Sequence, residues 1–283
     1  MDVLKAVLAA RPERSLQVEE LLAALAGLQL EVCICSPGGV GSTELSNFLT
    51  RDARLACNLL TDQDAMRHAS RPPAGLGAGT VVVYLFGDPL ACVASHYRRG
   101  HAHHQALKTS GRPDLGAAGF PANFDAYVAR GEDLFGLERH LDSWLRTPTP
   151  YDVLFVRYEA MFDLPVATAM LAHICGQRDR GGSASSSSAA ALAAGSSAAA
   201  GAAGSSAAAA AAGGGGCGGR AAKSEQEVAA LAAAFAARKR PRASQVTEEQ
   251  RRAMYGALAA RMDALPPIFL RTADCRVLPL LAS

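Results

Sequence analysis

Apolar residues in this chain occur both as short continuous runs and as longer stretches at helical spacing. Three runs, at residues 30–35, 80–86 and 153–156, are rich in Val, Ile, Leu, Cys or Phe and are followed by polar or glycine-bearing turns. Runs of this length and composition are typical of buried strands. Because continuous apolar strands suit a sheet that is covered on both faces, the pattern predicts parallel strands.

Helical spacing of apolar residues fills most of the chain between these runs. The pattern predicts helices at residues 3–28, 44–49, 90–99, 123–128, 134–145, 164–175, 225–239 and 247–262. Residues 52–69 are predicted as helical or irregular, and residues 100–121 as a loop. Thr247 followed by Gln250 has the pattern of a capping box. Strands that alternate with helices indicate an α/β fold, with a parallel sheet flanked by helices.

One tract breaks this pattern. Residues 180–222 are almost entirely Gly, Ser and Ala, so they offer very little apolar surface to bury. We predict a disordered, low-complexity insertion that serves as a flexible spacer. The remaining residues, 1–179 and 223–283, are then expected to form a single domain. A chain of 283 residues is long enough for that, although alanine inflates its apolar fraction of 49%.

The first predicted strand leads into a glycine-rich turn, which a predicted helix follows. We call residues 36–43, SPGGVGST, the glycine loop. Glycines let the backbone approach an anion, and a helix start directs N–H groups and the positive dipole end towards it. The pattern therefore predicts phosphate binding by Gly38, Gly39, Val40, Gly41, Ser42 and Thr43. A tight strand-to-helix turn without a ligand is the alternative.

The loop departs from the full phosphate-loop pattern, G-x-x-x-x-G-K-[ST], in an informative way. Gly41 and Thr43 fit that pattern, but Ser42 stands where the lysine belongs. ATP and GTP hydrolases use the lysine to hold the β- and γ-phosphates. The loop thus indicates phosphate binding and argues against simple nucleotide triphosphate hydrolysis.

Charge and cysteine content narrow the possible partners. The formal net charge of +2 lacks the basic excess of nucleic-acid-binding proteins. Seven cysteines include no C-x-x-C pair, so we predict buried free thiols in a reducing compartment. The N-terminal apolar run is too short for a signal peptide or membrane span. We therefore expect a cytoplasmic protein without a nucleic-acid partner or a membrane span. No metal site is predicted, because no carboxylate or cysteine is suitably spaced beside His101, His103 and His104.

Three motifs, in this order, resemble those of the sulfotransferases, a family with a phosphate-loop α/β fold that uses 3′-phosphoadenylyl sulfate (PAPS). PGGVGST, at 37–43, resembles the family's 5′-phosphosulfate loop, P-K-S-G-T-T. VVYLFGDPLACVASHYRR, at 82–99, is similar to its strand, R-[DN]-P turn and helix. VLFVRYEAMF, at 153–162, resembles its strand ending in Y-E-[DN], and HLDSWL, at 140–145, resembles the preceding helix. The likeness covers about residues 30 to 175.

The resemblance implies roles for single residues. The glycine loop would hold the 5′-phosphosulfate, Ser95 the 3′-phosphate, and Tyr158 the adenine. A basic run lies where the family has a C-terminal segment that also holds the 3′-phosphate, at Arg238, Lys239 and Arg240. His68, in MRHASRPP, corresponds loosely to the general base in the family's K-T-H-x-P element. Imidazole suits that role because its pKa lies near neutral pH, while a hydrogen-bonded or surface histidine is the alternative.

Two cations of the family pattern are absent. The basic residue that polarises the transferring group falls on Gly39, and the 3′-phosphate arginine falls on Gly87. Other cations that lie near in sequence are Arg67, Arg71, Arg98 and Arg99. The resemblance implies sulfuryl transfer from PAPS to a hydroxyl or amine of a small molecule or carbohydrate. A non-catalytic phosphate-loop module that binds a nucleotide, and a phosphate-loop kinase or NTPase, remain as alternatives.

Overall fold

The chain folds into a five-stranded mixed sheet flanked by helices in the computed structural model. The structure describes residues 30–58, 65–73, 76, 79–112, 114–176, 222–239 and 246–281. The predicted helix at residues 3–28 lies outside the described residues, as does all but the last residue of the predicted insertion at 180–222.

The strands and helices have the following bounds. The strands are β1 (Val32–Cys35), β2 (Val81–Phe86), β3 (Val153–Arg157), β4 (Ile268–Arg271) and β5 (Val277–Pro279). The helices are α1 (Ser42–Arg51), α2 (Pro89–Arg98), α3 (Ala102–Ser110), α4 (Phe124–Arg130), α5 (Leu137–Arg146), α6 (Leu164–Gly176), α7 (Glu225–Ala236) and α8 (Glu248–Asp263). Short 3-10 turns cover Ala65–His68 and Ala117–Gly119.

The sheet has the strand order β1-β2-β3-β4-β5. The three predicted strands are confirmed, and β1, β2 and β3 pair in parallel. The prediction of a wholly parallel sheet is wrong, because β4 and β5 were not recognised and both pair antiparallel. The structure is therefore α/β with a mixed, open sheet.

Apolar side chains cover both faces of the sheet, as the continuous runs predicted. In β2, Val82, Tyr84 and Phe86 join a core with Trp144 of α5, whereas alternate residues of the strand join a second core with Phe48 of α1. Successive strand residues point to opposite faces, so a strand between two cores must be apolar throughout. Buried β1 and β2 thereby fix the position of the loops that follow them.

One predicted helix start is present, and one predicted loop contains a helix. The capping box at Thr247 and Gln250 is present at the start of α8. The predicted loop at 100–121 is wrong, because it contains α3. The buried face of α3 is small or polar, including Gln105 and Thr109, so it lacks the apolar periodicity that identified the other helices.

Six of the seven cysteines lie among the described residues. Cys33, Cys35, Cys57, Cys92, Cys175 and Cys275 are free thiols, and Cys57 and Cys275 are only partly buried. Cys217 lies outside the described residues. No helix in the described ranges has the length and apolarity needed to cross a membrane.

The chain reverses its direction across the sheet at β1, because it first passes to one side of this strand and then returns to the other. On one side β1 pairs with β2, and on the other Val32 forms a parallel bridge to Cys57. The Asn58 side chain extends that pairing, since it bonds both the N–H and the carbonyl of Ile34 at 2.8 Å. Such a reversal is a topological switch point, where ligand crevices open beyond the carboxyl ends of the strands. The glycine loop lies at this end of β1.

Candidate functional site

Three glycines of the glycine loop have left-handed backbone conformations. Gly38, Gly39 and Gly41 have φ angles of 87°, 70° and 74°, in the left-handed region that favours glycine. Gly41 is the N-cap of α1 and, as a glycine, offers no side-chain oxygen to cap this helix. The first N–H groups of α1 therefore lack the side-chain acceptor that α2 receives from Asp88. An uncapped helix start after a glycine turn is suited to an anion.

His68 docks on the first residue of the loop. Its Nδ1 lies 2.9 Å from the Ser36 carbonyl oxygen and donates to it, and the Ser36 N–H donates to the Arg67 carbonyl at 2.7 Å. A carbonyl can only accept, so in neutral His68 the lone pair is on Nε2. Burial lowers the pKa of His68 well below its usual value, and Lys108 and Arg67 lower it further. His68 is thus held as a neutral base beside the loop, although its catalytic role stays a prediction.

Arg67 brings a guanidinium group to the start of α1. Only 3% of Arg67 is exposed, and its Nη1 lies 3.3 Å from Thr43 Oγ1. This buried cation adds to the positive potential of the helix N-terminus. The sequence had left the loop without a cation at Gly39, and the structure supplies one from a different segment.

One face of α2 lies against the loop. A Cβ on Gly39 would be 2.9 Å from the Cys92 carbonyl oxygen, and a Cβ on Gly38 would be 2.6 Å from Nε2 of His96. Ser95 shares this face, because residues three and four apart are neighbours on a helix. Its hydroxyl accepts from Arg99 at 3.1 Å and Arg98 at 3.4 Å. The serine that the resemblance assigned to a 3′-phosphate therefore lies between two guanidinium groups.

Tyr158 reaches the loop from the end of β3. Its ring lies 2.7 Å from the position of a Cβ on Gly41, and its N–H donates to the Phe86 carbonyl at 2.7 Å. The next residue, Glu159, accepts a hydrogen bond from the Asp88 N–H at 3.0 Å. A Cβ on Gly87 would be 2.9 Å from the Glu159 carboxylate. Position 87, where the resemblance places an arginine, therefore faces the Glu159 carboxylate. A cavity of 140 Å³ lies beside it, and Arg157 and Arg251 also line this cavity.

The predicted C-terminal basic run lies elsewhere. Arg238 pairs with Asp52 at 2.9 Å and with Glu44 at 3.6 Å, and its guanidinium lies over the Phe48 ring. Lys239 pairs with Asp163 at 2.8 Å. Neither cation shares a hydrogen bond or ion pair with the glycine loop in the part of the chain that the structure describes. Arg240 lies outside the described residues.

The histidines that follow α2 have local partners. His101 Nδ1 donates to the Arg99 carbonyl at 3.1 Å, and His103 Nε2 donates to the Leu115 carbonyl at 2.8 Å. Within the described ranges, no cluster of three or more His, Cys, Asp or Glu side chains has a geometry that would hold a metal ion.

A comparison with protein-family models, with curated proteins and with solved structures finds no match to this chain. Sequence reasoning assembled the glycine loop, His68, Ser95 and Tyr158. The structure brings the loop, His68 and Tyr158 together beyond β1 and β3, and Ser95 lies on α2, whose Cys92 and His96 face the loop. Sequence reasoning did not find His96, which lies within the motif at 82–99 but has no role assigned by it, and it left Arg67 as one of several cations near in sequence.

Position 39 cannot accept the family's basic residue without a change in the loop. Gly39 combines a φ of 70° with contacts to the Cys92 backbone, so Gly39→Ala and Gly39→Lys force strain and overlap together. We expect each to lower the free energy of unfolding by roughly 1–3 kcal/mol in denaturant titrations. Gly119→Ala is the matched control, since Gly119 has open space around it and no positive φ. Equal stability of the Gly39 and Gly119 variants would contradict the loop conformation.

Proposed function

We propose that this protein is a sulfotransferase-like enzyme with a phosphate-loop α/β fold, which transfers a sulfuryl group from PAPS to a hydroxyl or amine acceptor. The observation that carries the proposal is the meeting of a buried guanidinium, Arg67, and a buried neutral imidazole, His68, at the glycine loop. One group is suited to an anionic donor and the other to proton removal from an acceptor.

The chemistry of the residues fits the donor's two anionic ends. The N–H groups at the start of α1, the Ser42 and Thr43 hydroxyls and Arg67 would hold the 5′-phosphosulfate. Ser95, with Arg98 and Arg99 beside it, would hold the 3′-phosphate. Arg67, Arg99 and Lys108 all act on the buried histidines of this region as positive charges. A site at which several positive charges meet favours an anionic ligand.

The residues divide the reaction between them. His68 Nε2 would take the proton of the acceptor hydroxyl or amine as the acceptor atom bonds to sulfur. The bond between sulfur and the bridging oxygen then breaks, and the electron pair stays with the 5′-phosphate. Arg67 and the α1 N-terminus would stabilise the negative charge that grows on the 5′-phosphate. Because this charge is largest in the transition state, their contacts would accelerate the reaction more than they strengthen donor binding. The products are the sulfated acceptor and adenosine 3′,5′-bisphosphate (PAP), with the proton on His68.

A non-catalytic nucleotide-binding module is the second candidate. The observation that favours it is the Glu159 carboxylate beside Gly87, where the resemblance implies a cation. Repulsion between a carboxylate and a phosphate would weaken precise placement of the donor. A phosphate-loop kinase or NTPase ranks behind both, because Ser42 stands where the nucleotide-holding lysine belongs.

The acceptor is proposed as a small molecule or carbohydrate, and the compartment as the cytoplasm. The six free thiols among the described residues suit a reducing compartment.

Sulfuryl transfer is tested by PAP release from PAPS, using the full chain and a panel of hydroxyl and amine acceptors. We expect acceptor-dependent PAP release above the rate in buffer. Phosphate release from ATP with Mg²⁺ serves as the comparison. ATP turnover without PAPS turnover would favour the NTPase, and PAP binding without turnover of any acceptor would favour the non-catalytic module.

A further inference from the structure

His96, on the loop-facing side of α2, is a buried polar side chain that has no hydrogen-bond partner among the described residues. Only 2% of the residue is exposed, and neither Nδ1 nor Nε2 has a hydrogen bond within the described residues. Its ring stacks on Phe135 at 5.8 Å and meets the His101 ring edge-on at 5.4 Å. Buried polar groups in folded proteins are almost always hydrogen-bonded. A buried histidine with two unsatisfied ring nitrogens is therefore suited to bind a ligand.

The ring points at the glycine loop. A Cβ on Gly38 would lie 2.6 Å from Nε2 of His96 and 3.0 Å from Nε2 of Gln105. Gln105 is satisfied there, since it donates to the Pro37 carbonyl at 3.1 Å. The Gly38 backbone raises the pKa of His96, but the two residues form no hydrogen bond of normal geometry. Among the described residues of this contact, the unsatisfied side chain is that of His96, and it lies at the predicted anion site.

Three basic side chains of the described residues act on His96 as positive charges. Arg99 just after α2, Lys108 from α3 and His101 from the turn between these helices each disfavour a positive charge on the ring, and burial disfavours it most. Together they lower the pKa of His96 to about 3. His96 in turn lowers the pKa of His68, which lies on the 3-10 turn. His96 is therefore neutral in the protein alone, within a group of cations that an anion would offset.

We propose that His96 is a binding residue of the glycine-loop site, and that it takes up a proton from solvent when a phosphate or sulfate group binds there. The imidazolium then donates to the anion the hydrogen bond that the ring lacks in the protein alone. An anion offsets the repulsion from Arg99 and Lys108, so it favours the charged form of the ring. The inference deepens the proposed function and rests on it for the identity of the nucleotide.

Calorimetric titration of the full chain with PAP, in buffers of different ionisation enthalpy, measures the proton uptake. We expect the wild type to take up about one proton more than His96→Gln, which keeps a hydrogen-bond donor but has no titrating group. Because anion binding raises the pKa of His96, affinity is greatest at low pH and is lost as pH rises through the raised pKa. We expect a dissociation constant that rises by up to about tenfold per pH unit between about pH 6 and pH 8 in the wild type, and less in His96→Gln.

His103→Gln is the matched control, since His103 already donates to the Leu115 carbonyl and should leave the proton count unchanged. A second probe, inorganic sulfate, keeps its charge across this pH range and is followed by thermal unfolding. Stabilisation of the wild type but not of His96→Gln by sulfate, without PAP binding, would support His96 while the nucleotide proposal fails. Equal proton uptake by wild type and His96→Gln overturns the inference, as does failure of the wild type to bind both anions.

Discussion

Replacing Arg67 with glutamine is expected to lower the rate of sulfuryl transfer by about 100-fold or more, the usual effect of removing a group that stabilises developing charge. The Arg67 guanidinium contacts Thr43 at the start of α1, where charge would grow on the departing 5′-phosphate. PAP affinity should fall less, by roughly tenfold, because the helix N–H groups remain. Rates of PAP release and PAP dissociation constants, measured on the same preparations, separate the two effects.

Arg67 is almost fully buried, so loss of folding must be distinguished from loss of function. Arg67→Lys keeps the charge and should recover part of the rate at a melting temperature near that of Arg67→Gln. Arg130→Gln is the matched control, because Arg130 forms an exposed ion pair with Glu132 at 2.9 Å. A folded Arg67→Gln variant that turns over PAPS like Arg130→Gln would contradict the role assigned to Arg67.

Replacing His68 with asparagine should lower turnover by roughly 100-fold to 10,000-fold, as expected when a general base is removed. An asparagine amide can replace Nδ1 as the donor to the Ser36 carbonyl, so the loop should keep its anchor and its affinity for PAP. Glutamine carries its amide further from the backbone and should lose that anchor. Normal turnover in a folded His68→Asn variant would exclude His68 as the base.

The pH dependence of turnover gives an independent check on His68. Burial keeps its pKa well below the usual value, so the neutral, proton-accepting form persists throughout the neutral range. The contribution of His68 to the rate should therefore stay constant between about pH 6 and pH 8 and fall only in more acidic solution. A rate that rises tenfold through this interval, and no longer does so in His68→Asn, would show that the ring titrates like an exposed histidine.

The parts of the fold that sequence reasoning identified are those whose burial follows a regular pattern. β1, β2 and β3 are covered on both faces, so they appear as continuous apolar runs. β5 was missed because its three residues are exposed, and β4 because it has only four residues after a proline pair. α3 was missed because its packing uses small and polar side chains. Short edge strands and polar helix faces carry little pattern to detect.

The site divides in a similar way. The strand, glycine turn and helix order around Gly41 is local, so the sequence alone indicated it. Arg67 meets Thr43 across 24 residues of chain, through a crossover whose direction no local pattern fixes. Pairing is equally invisible in the sequence: Arg238 satisfies Asp52 and Glu44 instead of the loop. Family position was therefore a poor guide to the cations of the site, whereas three of the four cations near in sequence, Arg67, Arg98 and Arg99, contact Thr43 or Ser95.

Thermal unfolding of the full chain with PAP, AMP and ATP, each at equal concentration, tests the central claim most directly. A ligand that binds only the folded state raises the melting temperature, by an amount equivalent to about 2.7 kcal/mol at 100 times its dissociation constant. The glycine loop with Arg67, and Ser95 with Arg98 and Arg99, predict a larger rise with PAP than with AMP or ATP, because only PAP carries both phosphates. No rise with PAP, or a larger one with ATP, would contradict a site built for a 3′,5′-bisphosphate.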